Sequence, residues 1–94
     1  MNVPVRLPRM LADCTDGRTS MTLDLPPAAT VCQVLDALAA AHPVFDRRVR
    51  DETGALRRFV NVYVDGDEVR RLAGLATPVP PGAEVMVVQS VAGG

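Results

Sequence analysis

The residues best suited to chemistry in this chain are its last two, Gly93 and Gly94. Glycine has no Cβ, so a Gly-Gly pair can thread a channel too narrow for any other two residues. What such a channel would receive is the α-carboxylate of Gly94, the expected reactive group. A carboxylate resists nucleophiles because it is anionic and has a poor leaving group, so it must be activated before it can react. The side chains offer few competitors for the role. No P-loop, G-x-S-x-G run or catalytic carboxylate pair occurs. His42, the sole histidine, precedes Pro43 at a helix end, where it can cap carbonyls, and has no partner at metal-ligand spacing. Asp65, Asp67 and Glu68 surround Gly66 without EF-hand spacing and read as a solvated turn. Cys14 falls in a loop and Cys32 in a first helical turn, where the macrodipole can lower a thiol pKa. Both read as small loop or buried residues, since chemistry at Gly94 needs no thiol on this chain.

Those terminal residues need a body to carry them. With 94 residues and 48% hydrophobic content the chain is expected to form one domain with a modest core, residues 1–89, and a C-terminal tail, residues 90–94. The formal net charge of −1 gives no electrostatic case for nucleic acid or for an anionic membrane. The N-terminal run Met1-Asn2-Val3-Pro4-Val5-Arg6 lacks the basic and apolar regions of a signal peptide, and no apolar run approaches the ~20 residues of a membrane span. Two cysteines make no disulfide framework, so a reduced, cytoplasmic protein is expected. All ten basic residues are arginine. The chain therefore offers no side-chain amine to capture an activated Gly94 of another copy.

Periodicity supplies the elements. Val3, Val5 and Leu7 alternate with Asn2, Pro4 and Arg6 as a half-buried strand, with Pro4 on a side that does not donate to a ladder, or at an edge. Residues 8–19 are polar and irregular. Met21, Leu23 and Leu25 form a second strand that ends at Pro26-Pro27. Thr30-Val31-Cys32-Gln33 is a capping box, followed by Val34, Leu35 and Leu38 at helical spacing. His42-Pro43 stops that helix, because a residue before proline avoids the α region, and residues 43–56 read as a connection. Phe59 to Val64 is the strongest strand, and Asp65-Gly66 a tight turn after it. A short strand over Glu68 to Arg70, a turn over 71–76 with Leu72 and Leu75 tucked beneath, and a last strand from Glu84 to Gln89 complete the chain. One helix across a mixed sheet is an α+β solution, and the order is that of the β-grasp.

The strand faces divide the residues further. With the helix over Val60, Val62, Val64, Val85 and Val87, the residues Phe59, Tyr63, Met86 and Val88 point the other way. An apolar face of this kind often receives a partner. Arg57, Arg58, Arg70 and Arg71 are candidates to rim it. The alternative is that Leu11 or Phe45 folds over the face and covers it.

Four stretches carry a resemblance: Arg58-Phe59-Val60-Asn61-Val62-Tyr63-Val64-Asp65-Gly66, Gly74-Leu75-Ala76-Thr77, Pro81-Gly82-Ala83-Glu84-Val85 and Val91-Ala92-Gly93-Gly94. Together they resemble the ubiquitin-like sulfur carriers, among them the small subunit of molybdopterin synthase and the thiamine-biosynthesis carrier. The resemblance is nearest to the actinobacterial carriers of cysteine synthesis. It implies that a partner resembling the ubiquitin-activating enzymes uses ATP and Mg²⁺ to adenylate Gly94. Sulfide or a persulfide then displaces AMP and leaves a thiocarboxylate for a sulfur-accepting biosynthetic enzyme. The carrier itself binds no cofactor and catalyses nothing. From Ser90 through Val91, Ala92 and Gly93 to Gly94 an extended tail reaches ~17 Å at about 3.4 Å per residue, enough to cross a channel while the body stays docked outside. Such a tail is expected to be mobile alone and extended in a partner. Two other roles fit the same residues: a ubiquitin-like modifier joined to target lysines through Gly94, and a β-grasp interaction module with an inert terminus.

Overall fold

The computed structural model describes residues 1–90. The expectations placed on Val91, Ala92, Gly93 and Gly94 lie outside the described residues. Strands β1 (Asn2–Arg6), β2 (Ser20–Asp24), β3 (Val60–Val64), β4 (Asp67–Glu68) and β5 (Val85–Gln89) form one mixed sheet in the order β2-β1-β5-β3-β4. Helix α1 spans Val31–Ala41 and α2 spans Pro43–Val49. Only β1 and β5 run parallel; the other pairs are antiparallel. This is the expected α+β, β-grasp arrangement.

The local signals act as read. Gln33 N–H donates to Thr30 Oγ1 at 3.4 Å, and Thr30 N–H donates to Gln33 Oε1 at 2.8 Å, closing the capping box. Asp65 and Gly66 both take positive φ, 49° and 84°, as a two-residue hairpin turn between Val64 and Asp67 requires. Pro4 lies where its missing N–H costs nothing. Met1 and Leu25 exchange both backbone bonds and Leu7 donates to Thr19, so odd residues of β1 bond β2. Pro4 faces β5, whose pairing with β1 begins one residue later, at Val5.

The core lies between one sheet face and the helices. Val3 and Val5 of β1, Val60, Val62 and Val64 of β3, and Val85 and Val87 of β5 are all buried. They meet Val31, Val34, Leu35 and Leu38 of α1 in one cluster. Each such side chain contributes about 1.5–3 kcal/mol on leaving water.

Four expectations are corrected. Residues 43–49 are helical, because proline at a first helical position loses no hydrogen bond and has its φ already set. The same Pro43 that stops α1 starts α2, which buries Phe45 and Val49 four residues apart. In the 8–19 segment, Arg9–Cys14 forms a 3₁₀ turn that buries Leu11. The buried Thr15 hydroxyl donates to the Arg18 carbonyl at 2.8 Å and closes that segment. Leu72 is not tucked under its turn but stands 54% exposed, while Leu75 packs on the core. Finally, the fourth strand is only Asp67–Glu68, with 3₁₀ turns at Val69–Arg71 and Gly74–Ala76 following.

Candidate partner-binding face and tail root

Strand β5 lies between β1 and β3, so the chain leaves the middle of the sheet. Ser90 N–H donates to the Phe59 carbonyl at 2.8 Å, continuing the β3–β5 ladder one residue past the strand. Whatever Gly94 does, its tail is therefore rooted at a bonded residue. The backbone on either side of that carbonyl is braced. Arg70 donates to the carbonyls of Val60 at 2.6 Å and Arg57 at 2.8 Å, and to the Asn61 side chain. Arg57 donates through Nε to the Arg47 carbonyl at 2.9 Å. Of the arginines expected to rim a docking face, Arg70 thus clamps the backbone on either side of Phe59, and Arg57 ties that stretch to α2.

On the outer face of the sheet, Tyr63 lies directly opposite Met86, and Val88 opposite Asn61. Side chains so paired stand about 4.5–5.5 Å apart at Cβ. Arg6 of β1 is in register with Met86 and pairs with Glu84 at 3.2 Å. Tyr63, Met86 and Val88 are half-buried and lie outside the residues packed on the core. Leu11 and Phe45 are core residues, so neither serves as a cover for this face. The structure thus groups three of the four residues expected there. Phe59, 40% exposed, sits just before β3 at the end of the sheet. There it lines a cleft of about 470 Å³ with Met10, Leu11, Arg47, Arg48, Arg57 and Gln89.

The wall of that cleft depends on Arg50, which the sequence reading missed. Arg50 is 8% exposed and bonds Asp46 of α2 at 2.7 Å and Asp36 of α1 at 2.9 Å. Burial alone would lower its pKa, but the hydrogen bonds and charges of Asp46 and Asp36 prevail and raise it above the ordinary arginine value. Arg50 therefore ties α2 to α1 and sets where Arg47 and Arg48 stand. Asp51 organises the following turn: its carboxylate accepts from the Thr53 hydroxyl and amide and from the Ala55 amide, and these bonds hold its pKa below the usual range. The Arg47-Arg48 doublet was visible in the sequence, but only as part of a supposed connection. Cys14 and Cys32 are free and half-buried. The His42 backbone N–H, rather than its imidazole, makes the cap bond, to Leu38. Among the described residues no helix is long and apolar enough to cross a membrane.

Comparison with known proteins agrees with this geometry. Residues 5–94 match the ThiS family. The sulfur carrier protein CysO of Mycobacterium tuberculosis is 36% identical over 96 aligned positions, with both chains covered completely. The crystal structure of SAMP1 from Haloferax volcanii superposes with a TM-score of 0.84 at 31% identity, covering 100% of each chain. The CysO of the Amycolatopsis orientalis BexX/CysO complex does so with a TM-score of 0.78 at 34% identity, covering 98% of this chain and 99% of that one.

Proposed function

This chain belongs to the ThiS family, and from that premise we propose that it is a sulfur carrier acting through the carboxylate of Gly94. The observation that carries the reading is the end-to-end likeness to a sulfur carrier protein, joined to a final strand that runs from the sheet centre toward Val91-Ala92-Gly93-Gly94. A partner adenylyltransferase joins the carboxylate to the α-phosphate of ATP, with Mg²⁺, and releases pyrophosphate. Sulfide then attacks the acyl carbon, the bond to AMP breaks and AMP leaves, and a thiocarboxylate remains for a sulfur-accepting enzyme. Both ATP and Mg²⁺ belong to the partner's reaction. This chain supplies the carboxylate, the two glycines that admit it to a nucleotide pocket, and the Tyr63, Met86 and Val88 face, bordered by Phe59, that docks the body outside.

The experiment is an incubation of the full chain with the cognate adenylyltransferase, ATP, Mg²⁺ and sulfide, read by intact mass. The expected product is heavier by the exchange of one oxygen for sulfur. Absence of that product, with the enzyme shown to be active on ATP, refutes the reading. Likeness to SAMP1, a small archaeal modifier protein, supports a second role in which the activated Gly94 is passed to a lysine of another protein. A Gly-Gly remnant on lysines of other proteins in the source cells would establish that role.

A further inference from the structure

We infer that the cleft beside the tail root is a binding site for an acidic peptide segment bearing an apolar side chain. That the segment belongs to the enzyme taking up the tail rests on the carrier reading; the site itself does not. Three arginines, Arg47, Arg48 and Arg57, line the cleft, and among the described residues no carboxylate does. Neither Arg47 nor Arg57 has a salt bridge among the described residues. Arg48 has one, to Asp13 at 3.7 Å, with both groups well exposed. An exposed pair of that length holds an arginine only weakly.

The rest of the molecule sharpens the contrast. The turn past the other end of β3 and the start of β5 bring Asp65, Asp67, Glu68 and Glu84 together, with Asp65 N–H bonded to the Glu84 carbonyl at 2.9 Å. The cleft lining is thus basic and the turn at the opposite end of the same strands acidic, while Arg47 and Arg57 also border a neighbouring cavity with Asp46, Asp51 and Glu52. Such a field orients an approaching acidic surface toward the tail root.

Charge alone would admit any anion; the other lining groups narrow the choice. Met10 is 48% exposed and Phe59 40%, two of the four large apolar side chains left in water among the described residues. They give an apolar side chain a place to sit between the arginines. Gln89 also lines the cleft, and its Oε1 is buried without a donor among the described residues. A buried acceptor of this kind calls for a donor, which a peptide N–H can be. A phosphate, though it can donate through a P–OH, brings nothing apolar. A peptide brings carboxylates for the guanidinium forks, an apolar side chain for Met10 and Phe59, and a backbone N–H for Gln89.

The test uses the full chain, isotope-labelled, and an end-blocked synthetic peptide of sequence Glu-Glu-Leu-Glu-Leu-Glu. The comparison ligands are an all-glutamate peptide of the same length, inorganic phosphate and polyuridylate RNA. The expected result is saturable NMR shifts at the amides of Met10, Arg48 and Phe59 and at the Gln89 side-chain NH₂. Binding should be tighter than for any comparison ligand. The double variant R47E/R48E should bind about tenfold more weakly or worse, with an unchanged circular dichroism spectrum because both side chains are exposed. The variant R71E, away from the cleft, should bind as the parent does. Shifts spread over Arg9, Arg18 and Arg71, equal binding of phosphate, the all-glutamate peptide or RNA, or full binding by R47E/R48E would each overturn the inference. A second arm measures adenylation of the same variants by the cognate enzyme. If the parent is not adenylated, the carrier reading fails while the peptide result still decides the site.

Discussion

Removal of Gly94 tests the tail chemistry against a distance the structure fixes. Ser90 is held to the Phe59 carbonyl by a 2.8 Å hydrogen bond, so the reach of the terminus is counted from there. The four residues beyond Ser90 span about 14 Å when extended, and three span about 10 Å. The shortened chain can recover the missing length only by peeling Ser90 from Phe59. Loss of one backbone hydrogen bond costs about 1 kcal/mol, roughly fivefold in the population able to react. Peeling, however, brings Ala92 to the place Gly93 had occupied, and its Cβ enters the part of the channel that admits only glycine. The new carboxylate is then either about 3.4 Å short or sterically blocked, and misplacement on that scale costs at least ~100-fold in rate. The assay is ATP–pyrophosphate exchange with the cognate adenylyltransferase, paired with intact mass after sulfide addition. A variant with one alanine appended after Gly94 should lose activity equally. If the shortened chain is activated within about fivefold of the parent, the reasoning is refuted, because peeling then suffices and the Gly-Gly pair imposes nothing.

Tyr63→Ala and Val88→Asp should each weaken adenylyltransferase binding about thirtyfold, as expected for groups at an interface centre, with the far-ultraviolet spectrum unchanged; titration calorimetry checks this. Asp51→Ala should lower thermal stability at neutral pH and matter progressively less on acidification. The folded carboxyl titrates below its unfolded value, so its contribution is complete above the ordinary carboxylate range and is lost as pH falls through the lower, folded value. Paired thermal melts at neutral and strongly acidic pH measure that difference. Thr30→Ala removes the acceptor for Gln33 N–H and should cost about 1 kcal/mol in denaturant unfolding.

What the sequence determined by itself is everything set by near neighbours. Alternation gave the faces of β1, β3 and β5, the Thr30–Gln33 box gave the start of α1, and Asp65-Gly66 gave the hairpin turn, because each depends on residues within a few positions. The terminal Gly-Gly pair singled out Gly94 as the expected reactive residue, and the resemblance added what its carboxylate would carry. The tertiary structure decided what depends on distant partners. Pro43 is a stop for the helix before it and a fitting first residue for the one after it; burial of Phe45 and Val49 selected the second use. Arg47 and Arg48 became the wall of a cleft only once Arg50 had joined α2 to Asp36 of α1. Arg70, which in sequence is a surface charge, became a clamp on the Arg57 and Val60 carbonyls that flank Phe59, and Arg57 a tie to the Arg47 carbonyl of α2. Strand pairing and ion pairing across tens of residues leave no periodic trace in a chain, and these contacts set where the tail begins and what surrounds it.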